Sequence, residues 1–222
     1  MTITDLLCRH AVGVFDKQLH LYDLIDDEDW QFDANSGLLS FGRDINWSAG
    51  IIGTESVASA TWQWSWAKHS ANISEELLTH SRTMREFGEE ENIPELISPE
   101  LPLGRINGHI LAMISTGFCQ ASAYYKAPYE GGAVFLIVDD FDYPYLKPDE
   151  PLARIASVFP RAIASFDIPN HRLAFIGYLE FYGLNAKNDG DKIMVGEEGK
   201  FVVSAAFDDK DRLITMKTTF DS

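Results

Sequence analysis

Cysteine is scarce in this chain, and long apolar runs are missing. Two cysteines among 222 residues, Cys8 and Cys119, cannot build a disulfide framework, and both fall on predicted apolar helix faces. We therefore expect two reduced core thiols, with a catalytic cysteine as the alternative. The longest purely apolar stretch, residues 133–138, is far too short to span a bilayer. The N-terminus lacks the basic start and the apolar run of a signal peptide, so a cytoplasmic location is expected.

The motifs of several common enzyme classes are also missing. The sequence contains no G-x-S-x-G, no P-loop and no G-x-G-x-x-G, which many hydrolases, nucleotide-dependent enzymes and dehydrogenases require. Its six histidines are scattered, with no H-E-x-x-H, no H-x-H and no paired cysteines. We therefore expect no metal and no other cofactor. The sequence points to no catalytic residue and favours a protein that is not an enzyme.

Basic residues are few, and the charge is unevenly distributed. The chain has 34 acidic and 18 basic residues, which gives a formal net charge of −16. Residues 1–33 carry eight acids and two bases, residues 71–100 eight and two, and residues 139–150 five and one, whereas residues 185–222 carry eight and six. An acidic chain is a poor ligand for nucleic acid or an anionic membrane. It can instead steer a basic protein towards itself.

Helical and strand periodicities form groups along the chain instead of alternating. Helices are predicted over residues 2–25, 73–88, 107–125, 150–166 and 170–183, and strands over 30–32, 38–41, 45–52, 61–66, 133–138, 192–195, 201–207 and 213–220. Gly88 is expected to end the second helix, Pro160 to end or kink the fourth, and residues 92–104 to form a loop. Grouping of this kind predicts a single α+β domain of residues 1–222. Its mainly antiparallel sheet is built from N-terminal hairpins and a C-terminal three-strand meander, packed with four to five helices.

A tryptophan stripe is the most unusual local pattern. Trp62, Trp64 and Trp66 alternate with smaller residues, so strand geometry places all three on one face. One interpretation is an aromatic wall for a ligand or a binding partner. The other is the core-facing side of a half-buried strand, which shows the same period of two. The pattern itself does not separate these interpretations.

The segment 61–68, Thr-Trp-Gln-Trp-Ser-Trp-Ala-Lys, resembles a family of uncharacterised bacterial proteins. These proteins carry a TWxWxWAN pattern after an N-terminal helix and a first hairpin, and here the motif follows residues 38–41 and Gly53. The chain departs from the pattern at Lys68, where the family tends to have asparagine. The resemblance implies a similar fold over most of the chain and implies no activity.

Acidic residues directly after the predicted buried strand form a second candidate site. Asp139, Asp140 and Asp142 lie where α/β enzymes place metal ligands, but their spacing matches no calcium-binding loop. A solvated acidic loop is the alternative. His69 follows the tryptophan stripe and is a further candidate polar group. The candidate ligand- or partner-binding residues are therefore Trp62, Trp64, Trp66, His69, Asp139, Asp140 and Asp142.

Three functions fit these observations. The first is a non-catalytic acidic module that binds a basic protein, for example an immunity-type inhibitor that covers the active site of a basic toxin. The second is a small-ligand-binding domain or an enzyme with a tryptophan-lined pocket. The third is an assembly component with a self-complementary surface. The net charge and the missing motifs favour the first.

Overall fold

The computed structural model describes residues 1–67, 73–145, 148, 150–196 and 201–220. The chain divides into two compact units. Unit 1 comprises Met1–Ile3 and Lys17–Tyr145, and unit 2 comprises Thr4–Asp16 and Leu146–Ser222. The first helix, α1 (Ile3–Ile25), contributes residues to both. The single domain expected over residues 1–222 stays a prediction.

Unit 1 combines antiparallel strands with helices. In chain order after α1 it contains β1 (Trp30–Asp33), β2 (Leu38–Phe41), β3 (Ile45–Ser56), β4 (Thr61–Trp64), 3₁₀ turns at Ser65–Ala67 and Glu75–Leu78, α2 (Thr79–Glu91), α3 (Pro94–Ile97), β5 (Glu100–Pro102), α4 (Gly108–Phe118), β6 (Ala123–Tyr129) and β7 (Gly132–Val138). The strands form one sheet in the order β1-β2-β3-β4-β5, and β7 pairs with both β3 and β6. With twelve residues, β3 is long enough to pair with β2, β4 and β7.

The core of unit 1 is filled by apolar side chains from α1, the sheet and the segment after β7. Buried members of one cluster are Leu21, Ile25, Leu39, Phe41, Trp47, Ala49, Ile51, Leu77, Ala123, Ala127, Leu136, Val138 and Tyr143.

The edge strand β6 is covered at one residue by a side chain of α1. The Gln18 side chain donates to the Tyr124 carbonyl at 2.8 Å and accepts from the Tyr124 N–H at 2.9 Å. One side chain thus satisfies both backbone groups of that residue.

Unit 2 contains a second antiparallel sheet with helices. Its elements are α5 (Pro151–Ser165), α6 (His171–Phe181), β8 (Lys187–Asp189), β9 (Lys192–Gly196), β10 (Phe201–Phe207) and β11 (Leu213–Phe220). The strand order is β11-β10-β9-β8, so the predicted three-strand meander is confirmed and gains a short fourth strand. Every strand pair described in either sheet is antiparallel. The predicted α+β class is confirmed.

A fully buried carboxylate, Asp16, lies in the core of unit 2. The Arg154 guanidinium donates to Asp16 Oδ1 from Nε at 2.7 Å and from Nη2 at 2.6 Å. The hydroxyls of Tyr178 and Tyr182 donate to Oδ2 at 2.5 and 2.6 Å. Burial, together with the neighbouring Asp16 carboxylate, raises the pKa of both phenols, so they stay protonated and act as donors. The Asp16 charge is therefore compensated by one cation and two hydroxyls.

One predicted helix is wrong in its second half. α4 begins after the expected Asn107 cap, whose side chain accepts from the Ile110 N–H, but it ends at Phe118 instead of continuing to residue 125. Gln120 then takes a left-handed conformation with φ of 57°, which ends the helix. Residues 123–129 form β6, because they pair along their whole length with β7. Residues 92–104, expected to be a loop, contain α3 and β5.

Gly88 does not end α2 as predicted, and Pro160 does not end its helix. α2 continues past Gly88 to Glu91, and Asn92 adopts the left-handed conformation that ends it. A Cβ atom on Gly88 would lie 2.5 Å from the Leu96 Cβ, so glycine is needed here for the close approach of α2 and α3. α5 continues through Pro160 to Ser165, with the neighbouring Phe159 fully buried. Packing of the apolar face outweighs the hydrogen bond that proline removes.

Candidate functional site

Trp62 and Trp64 lie in the core of unit 1, and both are fully buried. Their rings meet edge to face with centroids 5.5 Å apart, and the Trp62 ring lies 5.3 Å from that of Phe135. The Trp64 indole N–H donates to the Glu95 carbonyl at 3.0 Å, which connects β4 to α3. A Cβ atom on Gly53 would lie 2.3 Å from the Trp62 ring, so glycine makes room for that ring. These contacts give both tryptophans a packing role.

Trp66 differs from the other two tryptophans. The strand ends at Trp64, and Ser65 opens a 3₁₀ turn, so the predicted alternation stops before Trp66. The change has a local cause, because the buried Ser65 hydroxyl bonds to the Ile51 carbonyl at 2.5 Å and to the Ser81 hydroxyl at 2.7 Å. Trp66 is half-buried, with the Arg85 guanidinium 4.8 Å from its ring centroid. The candidate residue His69 lies outside the described residues.

The three candidate carboxylates lie together in the segment that follows β7. We call residues 139–145 the Phe141 loop. Asp139 pairs with His80, with 3.1 Å between Oδ2 and the imidazole Nε2, and its side chain is half exposed. Asp140 points back towards the sheet, where Oδ2 accepts from the Ser48 N–H at 2.6 Å and Oδ1 accepts from the Asp142 N–H at 2.8 Å. Asp142 itself is exposed. The carboxylates therefore differ in role, and Asp140 fixes the loop.

The Asp140 carboxylate is held in its charged form. Its partial burial acts to raise the pKa, but the hydrogen bonds from the Ser48 and Asp142 N–H groups outweigh burial and bring the pKa below its ordinary value. Charge-assisted hydrogen bonds of this kind are stronger than neutral ones. The loop is therefore tied to β3 at neutral pH.

Phe141 lies in this fixed loop and is 96% exposed. On its C-terminal side, Tyr143 is buried in the core with its ring 4.8 Å from that of Trp47, and its N–H donates to the Asp140 carbonyl at 3.2 Å. Next to it, the Pro144 carbonyl lies 2.5 Å from the His20 Nε2. The loop is thus anchored on both sides of an aromatic side chain that the described part of the chain leaves almost fully exposed. From the sequence we selected the carboxylates around Phe141 and missed Phe141 itself. The pattern of an aromatic residue between two aspartates, which favours an exposed position, could have indicated it.

The charge of Asp139 affects the pKa of two further groups, Lys17 and Cys119. Burial lowers the pKa of Lys17 to about 8, which the Asp139 charge opposes, and the Lys17 ammonium donates to the Ala121 carbonyl at 2.5 Å. Burial and then the Asp139 charge raise the pKa of the Cys119 thiol to about 12. Burial likewise raises the pKa of Cys8. Neither cysteine is poised as a thiolate nucleophile at neutral pH.

Unit 1 contains most of the acidic excess. Its segments carry 20 acidic and seven basic residues, against 14 and 11 in unit 2. Glu89, Glu90 and Glu91 are exposed in the last turn of α2, a turn without a basic residue. The helix dipole disfavours carboxylates at this end, by about 0.3–1 kcal/mol each. Glu89 pairs with Arg85 at 2.8 Å and Glu91 with the amino terminus of Met1 at 3.4 Å.

The described residues contain neither a metal-binding cluster nor a membrane-spanning helix. No cluster of three or more histidine, cysteine, aspartate or glutamate side chains in this part of the chain could hold a metal ion. Among the helices described, none is both long and apolar enough to cross a membrane.

Comparison with known proteins gives one match. The profile of a family of unknown function, DUF6882, matches residues 4–141, which is more than half of the chain. The chain belongs to this family. No curated protein and no solved structure matches it. The segment shared with DUF6882 includes the three tryptophans and ends at Phe141, so β8 to β11 lie outside it.

Proposed function

We propose that this DUF6882 chain is a non-catalytic protein-binding module that engages a basic protein through the Phe141 loop. The observation that carries the proposal is a 96% exposed aromatic side chain on a loop that is anchored on both sides. Large aromatic side chains are enriched among the residues that dominate binding energy at interfaces. When a partner covers an exposed phenylalanine, the apolar ring is removed from water, and this burial makes the free energy of binding more favourable.

Preorganisation of the loop supports the same function. Asp140 accepts two backbone hydrogen bonds, and Tyr143 is inserted into the core, so the backbone on both sides of Phe141 is fixed before any partner arrives. A fixed loop loses little conformational entropy on binding, which improves affinity without additional contacts. The fully buried Trp62 and Trp64 are parts of the core of unit 1, and in this proposal they do not contact the partner. In this proposal the motif that resembles TWxWxWAN contributes to the hydrophobic core and not to the binding surface.

The charge around the loop indicates the kind of partner. Phe141 lies between Asp140 and Asp142, and unit 1 carries 20 acidic residues against seven basic ones. Such a surface attracts a basic protein and accelerates its association at low ionic strength. One concrete version is an immunity-type inhibitor that covers the active site of a basic toxin in the bacterial cytoplasm. Phe141 would enter the basic cleft, and the carboxylates would pair with the cationic groups around it.

A second candidate function has one specific observation in its favour. The His80–Asp139 pair, with the pKa of the nearby Lys17 lowered by burial, groups an imidazole, a carboxylate and an amine in unit 1. A buried amine with a lowered pKa beside other polar side chains is an arrangement that occurs at ligand-binding and catalytic sites. A small-ligand site would therefore use these polar groups, since Trp62 and Trp64 are enclosed by the core. Loss of protein binding without loss of ligand binding in a Phe141→Ala variant would separate the two functions.

A capture experiment tests the protein-binding proposal. The tagged chain and two variants are incubated at low and high salt with lysate of the source organism, and retained proteins are identified by mass spectrometry. Phe141→Ala removes the exposed ring. Val57→Ala is the matched control. Val57 is an apolar residue that is 76% exposed, and it follows the C-terminal end of β3, whereas Ser48, which contacts the Phe141 loop, lies near the N-terminal end. We expect a basic protein that the parent and Val57→Ala retain at low salt and Phe141→Ala does not. Equal retention by all three chains contradicts the proposal.

A further inference from the structure

β11 is an open edge of the four-stranded sheet in unit 2. Seven of its eight residues pair with β10, and within the described residues no other strand pairs with it. Residues 215–220 run in regular register with β10, from Thr215 opposite Ala206 to Phe220 opposite Phe201. The strand is largely exposed, and Ile214 is 64% exposed. A row of backbone N–H and C=O groups of this kind is a template for another strand.

The other sheet edges among the described residues are short or partly covered. β1, β5 and β8 have three or four residues each. The longer β6 is covered at Tyr124, where the Gln18 side chain bonds to both backbone groups. β11 has one charged residue, Lys217, and no proline, and its register shift lies at the end near Phe207. Of the edges described, β11 has the least of the protection that normally keeps a strand unpaired.

The charge distribution indicates which occupant fits this edge. Unit 2 has 14 acidic and 11 basic residues, and the segment 185–222 that contains β11 has eight and six, so two copies can approach here with little repulsion. A basic partner of the kind proposed above finds little acidic surface at β11, and the strand itself is uncharged apart from Lys217. If the two-fold axis between two copies of β11 passes beside Lys217 and not through it, the Lys217 ammonium groups of the two copies do not lie directly opposite each other.

We propose that β11 pairs antiparallel with β11 of a second copy of this chain, so that the two four-stranded sheets join into one. The interface is isologous, because each copy contributes the same strand. A single strand pair is a small interface, so the expected dimer is reversible, with a dissociation constant on the order of micromolar. The proposal does not depend on the Phe141 loop, and a Phe141→Ala chain is expected to dimerise like the parent.

Sedimentation equilibrium of the full chain over a wide concentration range tests the association. The average mass is expected to rise towards twice that of the monomer. Thr218→Pro removes an N–H and introduces a ring that blocks strand pairing, and it is expected to raise the dissociation constant at least about tenfold. Thr218→Lys keeps the N–H and adds charge, so it gives the same result even if the proline variant fails to fold. A parent chain that stays monomeric at every concentration overturns the proposal.

Cysteine scanning along the strand tests the geometry. Single cysteines at Thr215, Met216, Thr218 and Thr219 are oxidised, and disulfide-linked dimers are quantified. In an antiparallel pair, each step away from the two-fold axis separates equivalent residues by about 7 Å more, so cross-linking should peak at one position and fall on either side. Cysteine at Val57 and the parent chain set the background. A dimer without a cross-linking peak in β11 contradicts this interface.

Discussion

The Asp140 carboxylate lies 2.6 Å from the Ser48 backbone N–H, although 92 residues separate the two in the sequence. This hydrogen bond ties the loop after β7 to the neighbouring strand β3. The second oxygen of the same carboxylate holds the Asp142 N–H. One side chain thus fixes the backbone on both sides of Phe141, which is the arrangement that the proposed binding function needs.

Removal of this carboxylate should loosen the loop. We expect Asp140→Ala to lower the free energy of unfolding by about 1–2 kcal/mol, because two backbone N–H groups lose a charged acceptor. Urea denaturation followed by circular dichroism measures the change. Asp142→Ala, which removes an exposed carboxylate from the same loop, should stay within about 0.5 kcal/mol of the parent. Equal effects of the two substitutions would show that Asp140 does not anchor the loop.

The tryptophan stripe should behave as core. Trp64→Ala is expected to cost about 3–5 kcal/mol of stability, because it empties a fully buried site and removes the hydrogen bond to Glu95. Trp64→Phe should cost less, since it retains most of the buried volume. Chemical denaturation ranks the variants. A Trp64→Ala chain that is as stable as the parent but has lost partner binding would make the tryptophan a contact residue instead.

The buried Asp16 should be the most sensitive carboxylate of the chain. Asp16→Ala leaves the Arg154 guanidinium without its counter-charge and two tyrosine hydroxyls without their acceptor. We expect a loss of about 3–5 kcal/mol in the free energy of unfolding. Asp23→Ala, an exposed substitution on the same helix, is the matched control and should have little effect. A mild effect at Asp16 would show that the network is dispensable.

Lys17 should give the stability a pH dependence above neutrality. Its folded pKa of about 8 lies below the value of about 10.4 in an unfolded chain, so the folded state loses the proton first. Stability of the parent should therefore rise, on the order of 2 kcal/mol, between about pH 8 and pH 10 through this group. The Lys17→Met variant lacks this rise in stability. The free energy of unfolding of the parent minus that of the variant should therefore increase from about pH 8 to pH 10. A difference that is constant with pH contradicts the lowered pKa.

The sequence was informative where local patterns decide the structure. Amphipathic periodicity located α1, polar caps located the starts of α4 and α6, and the turns of the meander located β9 to β11. β6 was missed because its first three residues continue the apolar pattern of the preceding helix, and pairing with β7 selects a strand. Likewise, the acidic segment was readable as a candidate site. The contacts that fix its backbone, Asp140 with Ser48 and Tyr143 with Trp47, join residues that are distant in sequence.

The affinity of the captured partner for the parent, Phe141→Ala and Val57→Ala chains tests the central claim most directly. Isothermal titration calorimetry with the purified partner at two salt concentrations gives the dissociation constants. We expect Phe141→Ala to weaken binding by at least about 2 kcal/mol, or roughly thirtyfold, and Val57→Ala to leave it unchanged. Binding should also weaken as salt rises. An unchanged, salt-independent affinity of the Phe141→Ala chain would contradict the claim that the Phe141 loop binds a basic protein.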